Sequence, residues 1–215
     1  IMQVRIMTAT GSPSTLEGGI RYAADNGAKV ILLPIPFRNS IQSALQDWNG
    51  LNWSGINNAI QYAHNKGCVL IAPIGNSGTA TQDAIASFAN VIGVGALKLN
   101  SVGSYSRSSF SNYSDYVDVV APGENILSTS LSNTLATTYA SGSYESFSDT
   151  SAAAAFVAGY AGLIFSKNPT WTNTKVEQQI INTAAPLPNT TITSPDYTIP
   201  RGSTTLMDTG PCPFS

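Results

Sequence analysis

The sequence predicts an α/β fold: a three-layer, doubly wound, mainly parallel sheet with helices on both faces. A repeated unit carries the prediction. Tyr22-Ala-Ala-Asp-Asn-Gly27 runs into Ala28-Lys29-Val30-Ile31-Leu32-Leu33-Pro34, and Tyr62-Ala-His-Asn-Lys-Gly67 runs into Cys68-Val69-Leu70-Ile71-Ala72-Pro73. Each reads as a helix stopped by a glycine, which takes the left-handed conformation that ends a helix. A short strand follows, apolar throughout rather than alternating, as in strands covered on both faces. Strand–helix–strand alternation then implies parallel pairing with right-handed crossovers.

The elements follow in order. Val4-Arg5-Ile6-Met7 reads as a first strand. Ser14 with Glu17 fits a capping box, and Leu16, Ile20 and Ala23 share one helical face. Ile56, Ile60 and Ala63 do the same before Gly67. Lys29–Leu33, Val69–Ile74 and Val91–Gly95 should be neighbours of Val4–Met7 in one parallel sheet. Residues 101–114, rich in Ser, Gly and Tyr, read as loops and short strands. Val117–Gly123 reads as a strand ended by Pro122 and Gly123, and Ser128–Ser148 as an irregular hairpin. A helix is expected from Ala152 to about Lys167, with Ala158, Gly159, Ala161 and Gly162 allowing close packing. Another is expected from Thr172 to about Thr183, with Val176, Ile180 and Ile181 inward. From Pro186 prolines recur too often for regular structure, so residues 1–185 form the domain and residues 186–215 a tail on its surface.

Composition bounds the function. Apolar residues make up 42% of the 215, enough for one sizeable core. Charged residues are only 10%, against about a quarter in most domains. The net charge of −2 offers no basic stripe for nucleic acid. No apolar run is long enough to span a bilayer. The Ser/Thr-rich, weakly charged surface points to a secreted protein. Of the two cysteines, Cys68 reads as a small buried residue opening a strand, and Cys212 lies in the proline-flanked tail. A disulfide between them is one alternative in an oxidising compartment. Asn-x-Ser/Thr triplets stand at Asn52, Asn112 and Asn189.

Chemistry concentrates at Ser148-Asp149-Thr150-Ser151, which delivers a serine to the start of a small-residue helix. Unpaired N–H groups there favour developing negative charge. Gly75-Asn76-Ser77-Gly78 directly follows a strand, at the carboxyl end of the sheet where sites form. Asn76 there offers a side-chain N–H to an oxyanion, or makes an ordinary turn. Gly93-Val94-Gly95 lacks the third glycine of a dinucleotide fingerprint, with Lys98 in its place.

Together with Val119-Val120-Ala121-Pro122-Gly123, Thr150-Ser151-Ala-Ala and Val157-Ala158-Gly159, the Asn76 segment resembles the subtilisin-like serine peptidases in order and spacing. The resemblance covers the chain up to the tail and includes Ser166-Lys-Asn-Pro169-Thr-Trp171-Thr. It implies a parallel seven-stranded sheet, Ser151 as nucleophile, Asn76 as oxyanion donor, and Leu33, Pro34, Ile35 and Gly75 at the substrate groove. It implies a polypeptide as substrate or inhibitor and no required cofactor. A structural calcium has thin support. Asp118 falls in the region where relatives hold a cation, but the neighbouring Tyr116 is a poor ligand and a hydrogen-bonded aspartate is the simpler reading.

The departures are as informative. The family's aspartate strand and H-G-T-x-V-A-G helix are missing, as in an N-terminally truncated member whose Asp and His come from a separate N-terminal fragment. His64, the one histidine, closes a helix that feeds a strand, at the amino end of the sheet. A strand's length, roughly 17–20 Å, separates it from the site. Asp149 stands where the family has glycine. Ala155-Phe156 replaces Pro-His. Leu33-Pro34-Ile35-Pro36-Phe37 replaces the S-x-G-G segment that pairs with substrate, and its prolines lack the N–H such pairing needs. Two readings remain open: the nucleophile-bearing part of a serine endopeptidase, or a catalytically silent homologue used for binding.

Overall fold

The computed structural model describes residues 1–6, 14–35, 53–80, 85–101, 104–113, 116–130, 143–186 and 205–206. The first helix, α1 (Ser14–Asp25), and the second, α2 (Trp53–Asn65), each end at a glycine with positive φ: Gly27 at 82° and Gly67 at 91°. Each then feeds a parallel strand, β1 (Val30–Leu32) and β2 (Val69–Pro73), which pair in register Val30 to Val69. β3 (Val91–Ser101) pairs parallel with β2 and with β5 (Val119–Pro122). The upper half of β3 also pairs antiparallel with β4 (Ser104–Arg107). A hairpin of β6 (Ile126–Ser130) and β7 (Ser143–Phe147) leads into α3 (Thr150–Lys167) and α4 (Asn173–Thr183).

Two short segments complete the sheet. β8 (Ala185–Pro186) is antiparallel to β9 (Thr205–Leu206), and β9 lies parallel to β5. The sheet runs β1-β2-β3-β5-β9-β8 with β4 on β3, seven strands in all among the described residues. The proline-rich tail thus returns at least one segment to the sheet.

Consecutive residues of β2 divide the molecule into its layers. Leu70 and Ala72 face one core with Leu16, Ile20, Ile56 and Ile60 of α1 and α2. Val69 and Ile71 face the other, with Ala153, Ala154, Val157 and Ala161 of α3 and Val176 and Ile180 of α4. Both cores are apolar, and each fully buried Ile or Leu contributes about 1.5–3 kcal/mol. No described helix is long and apolar enough to cross a membrane.

Two expectations are corrected. Val4–Ile6 does not form a strand. Val4 and Ile6 instead pack on α1, with the Ile6 Cγ2 atom 2.3 Å from where a Cβ on Gly19 would stand. They find burial on a helix that a glycine has flattened, and Met7 lies outside the described residues. In α3 the close contact uses Ala153, Ala154 and Ala161, all at 0% exposure. Gly159 and Gly162 face outward, and a Cβ on either would meet nothing within 4 Å.

Candidate active site

The segments singled out at the sequence level converge on the carboxyl edge of the sheet. β5 ends at Gly123, whose N–H donates to the Leu97 carbonyl (3.0 Å) and whose carbonyl accepts from the Asp149 N–H (2.9 Å). A Cβ on Gly123 would sit 2.6 Å from the Ala96 Cβ and 3.0 Å from the Asp149 carbonyl oxygen. Glycine therefore lets the turn before α3 press onto the strand ends. The base of the β6–β7 hairpin is closed by the Asn125 N–H donating to Ser148 Oγ (3.0 Å), so the hairpin returns the chain to the point it left.

Ser151 lies in the first turn of α3 and is half-buried. Asn76 reaches the same turn from the end of β2: its Oδ1 accepts from the Thr150 N–H at 2.8 Å. A backbone N–H is only a donor, so that contact assigns the carboxamide orientation and leaves Nδ2 as the donating end. Asp149 is the N-cap of α3, with φ −166° and ψ 150°. Its Oδ1 accepts from the Ser151 N–H at 2.6 Å. An aspartate directly before a small-residue helix is the sequence signal for such a cap.

The loop carrying Asn76 is braced by Asn112. The Asn112 Oδ1 accepts from the Ser77 N–H (2.9 Å) and the Thr79 N–H (3.3 Å), and its Nδ2 donates to the Ile74 carbonyl (3.0 Å). Its own N–H donates to the Gly75 carbonyl (3.0 Å). Asn112 is 5% exposed. So buried an Nδ2 leaves no room for a glycan in the folded chain, which sets this triplet apart from the other two; Asn52 and Asn189 lie outside the described residues. No spacing in the sequence marks Asn112 as a brace.

Leu33, Pro34 and Ile35 follow β1 at the same edge but are built differently from an open groove. The Leu33 N–H donates to the Ile71 carbonyl (2.9 Å), and the Ile35 N–H turns back to the Leu33 carbonyl (2.8 Å). Pro34 has no N–H. Leu33 and Ile35 side chains are buried in the core and only Pro34 is exposed. The backbone donors of this stretch are thus consumed within the fold. Pro36 and Phe37 lie outside the described residues.

The remaining candidates have structural surroundings. His64, in the last turn of α2, lies beside Glu177 of α4, Nε2 to Oε1 at 3.3 Å. The Asn173 carboxamide donates to the carbonyls of His64 (2.9 Å) and Cys68 (3.1 Å), holding them at the amino end of β2. That end is opposite Asn76. Burial pushes the Glu177 carboxyl above its ordinary range, against a smaller opposing pull from His64. Cys68 is a free, buried thiol that donates to the Ala28 carbonyl (3.0 Å), with its pKa raised by burial; Cys212 lies outside the described residues. Asp118 Oδ2 accepts from the Gly93 N–H (2.8 Å), and no group of three or more His, Cys, Asp or Glu that could hold a metal exists among the described residues. Gly93 serves packing, since a Cβ there would stand 2.1 Å from the Tyr116 carbonyl oxygen.

Comparison with known proteins gives the family of the chain. The subtilase family, Peptidase S8, matches residues 1–205. Thermitase from Thermoactinomyces vulgaris is 37% identical over 186 residues, covering 86% of this chain and 57% of thermitase. Subtilisin Savinase from Lederbergia lenta is 32% identical over 185 residues, covering 86% of this chain and 60% of its own length. Among solved structures, a protease from Pseudoalteromonas arctica PAMC 21717 superposes with a TM-score of 0.71 at 27% identity, covering 92% of this chain and 57% of that one. The chain belongs to the subtilase family of serine peptidases. It spans about half the length of these relatives.

Proposed function

We propose that this chain is the nucleophile-bearing part of a subtilisin-like serine endopeptidase, active when a segment N-terminal to it supplies aspartate and histidine. The observation that carries the reading is the meeting of Asn76 and Ser151 at the first turn of α3, with the Asn76 carboxamide oriented by the Thr150 N–H. In the reaction, Ser151 Oγ attacks the peptide carbonyl and loses its proton to the supplied histidine. The carbonyl electron pair becomes an oxyanion, which Asn76 Nδ2 stabilises. His64 has no part in this, being committed to Glu177 at the other end of the sheet. The low charge content and Ser/Thr-rich surface favour an extracellular setting.

A binding role without catalysis is the second reading. It is favoured by the consumed backbone donors at Leu33 and Ile35, which weaken docking of a substrate as an added strand. An alkyl fluorophosphonate separates the two. The chain alone should not be labelled, because Ser151 stays a neutral hydroxyl without a base. Addition of an N-terminal segment bearing the family's H-G-T motif and aspartate should produce labelling at Ser151. No labelling in its presence favours the binding module, and rapid labelling of the chain alone would refute the exclusion of His64.

A further inference from the structure

The Ser151 N–H is the backbone donor nearest to any group bonded to Ser151 Oγ, because both belong to one residue at a helix N-terminus. In this chain that donor is filled. The Asp149 carboxylate accepts from it at 2.6 Å, while the neighbouring Thr150 N–H is filled by Asn76 at 2.8 Å. The Asp149 backbone is itself fixed, its N–H bound to the Gly123 carbonyl and its carbonyl accepting from Ala152 (3.2 Å) and Ala153 (3.4 Å). The carboxylate is therefore held at the helix start by its own main chain, and its negative charge stands where charge would develop during acyl transfer.

We propose that Asp149 restrains the peptidase site by occupying the Ser151 N–H, so that an incoming carbonyl must displace a carboxylate to place its oxyanion there. This rests on the peptidase reading of the site. Asp149 acts through the Ser151 N–H and is a positioning residue, one that lowers the rate rather than raising it. Two effects combine: one oxyanion donor is withheld, and like charge opposes the oxyanion. Loss of one such donor typically costs about 10²–10³ in rate. A simple helix cap would have the reverse consequence, because its removal loosens α3 and slows the site.

The test compares wild type, Asp149→Asn and Asp149→Gly, each with the added N-terminal segment bearing histidine and aspartate, by the rate of fluorophosphonate labelling. Ser151 Oγ forms the bond to phosphorus, fluoride leaves, the proton goes to the supplied histidine, and the phosphoryl oxygen takes the oxyanion's place. The asparagine keeps an acceptor for the Ser151 N–H but removes the charge, and the glycine removes both. Labelling should be slowest in wild type, about 10-fold faster with asparagine and about 100-fold faster with glycine. On the chain without the segment, the Ser151 amide should exchange its hydrogen at least about 10-fold faster in Asp149→Gly than in wild type, as the bond to the carboxylate is lost. Equal labelling rates, or slower labelling of the glycine variant, would overturn this inference alone. An unchanged Ser151 amide would do the same. No labelling of any of the three would overturn the peptidase reading and this inference with it.

Discussion

Asn112 sets the position of the loop that carries Asn76. One carboxamide ties Ile74, Ser77 and Thr79 together, and the Asn112 N–H holds Gly75. Replacing it by alanine removes the acceptor of the Ser77 and Thr79 N–H groups and the donor to the buried Ile74 carbonyl. Asn112→Ala should lower unfolding stability by about 1–2 kcal/mol, measured by urea denaturation. Expression in a glycosylating host should leave Asn112 unmodified, read by mass spectrometry of the peptide that contains it. At Asn76 the effect should be chemical rather than structural. Asn76→Ala in the chain with the added segment should cut the labelling rate by about 10²–10³. A loss of stability of the same size as in Asn112→Ala would mean that Asn76 serves mainly as a link to Thr150.

At the scale of elements, the decisive joint is between the end of β5 and the start of α3. The A-P-G motif earns its glycine by contact: Ala96, Asp149 and Ala153 all crowd the place of a Cβ. Gly123→Ala should cost about 1–3 kcal/mol as an overpacked site, seen in thermal or urea unfolding. It should also displace the α3 start, so the Ser151 amide should lose exchange protection while amides of α1 keep theirs. The start of α4 is a separate case. The Thr172 hydroxyl accepts from the Lys175 N–H at 3.3 Å, and Thr172→Ala should cost about 1 kcal/mol with no effect on Ser151.

Over the whole molecule, the end of the sheet opposite Asn76 carries a partly buried carboxylate. Glu177 packs between α4 and the end of α2 with its carboxyl raised by burial. For a group whose folded pKa lies above its unfolded value, the stabilising contribution is complete below the unfolded pKa and lost as pH rises through the folded one. Wild type should therefore lose stability relative to Glu177→Gln as pH rises over a range that starts in the ordinary carboxylate region and runs upward, measured by urea unfolding at each pH. A constant difference across that range would show that Glu177 titrates normally. The site lies at the carboxyl edge, so the same substitution should leave the pattern of Ser151 labelling unchanged.

Local chain properties alone determined the layers, the parallel strands and the chemistry-bearing turns. Apolar stretches such as Val69–Pro73 and helix-stopping glycines at 27 and 67 act over a few residues, and the structure places them as expected. The meeting of Asn76 with the Ser151 turn was legible because both follow segments that end at the same sheet edge. Tertiary structure decided the rest. Val4 and Ile6 could satisfy their apolar side chains on a strand or a helix, and only the flat face at Gly19 selects the helix. Asn112 lies far along the chain from the loop it braces, and its triplet reads equally as a glycan acceptor until burial excludes one. Leu33 and Ile35 had a groove-like position in the order of motifs, yet they point into the core and spend their N–H groups internally. Asp149 was visible as a charge beside the site, but which donor it fills depends on the path of the chain from Gly123 through the hairpin to α3. Hydrophobic periodicity is written in neighbouring residues, whereas a hydrogen-bond partner is chosen by what the completed fold brings within 3 Å.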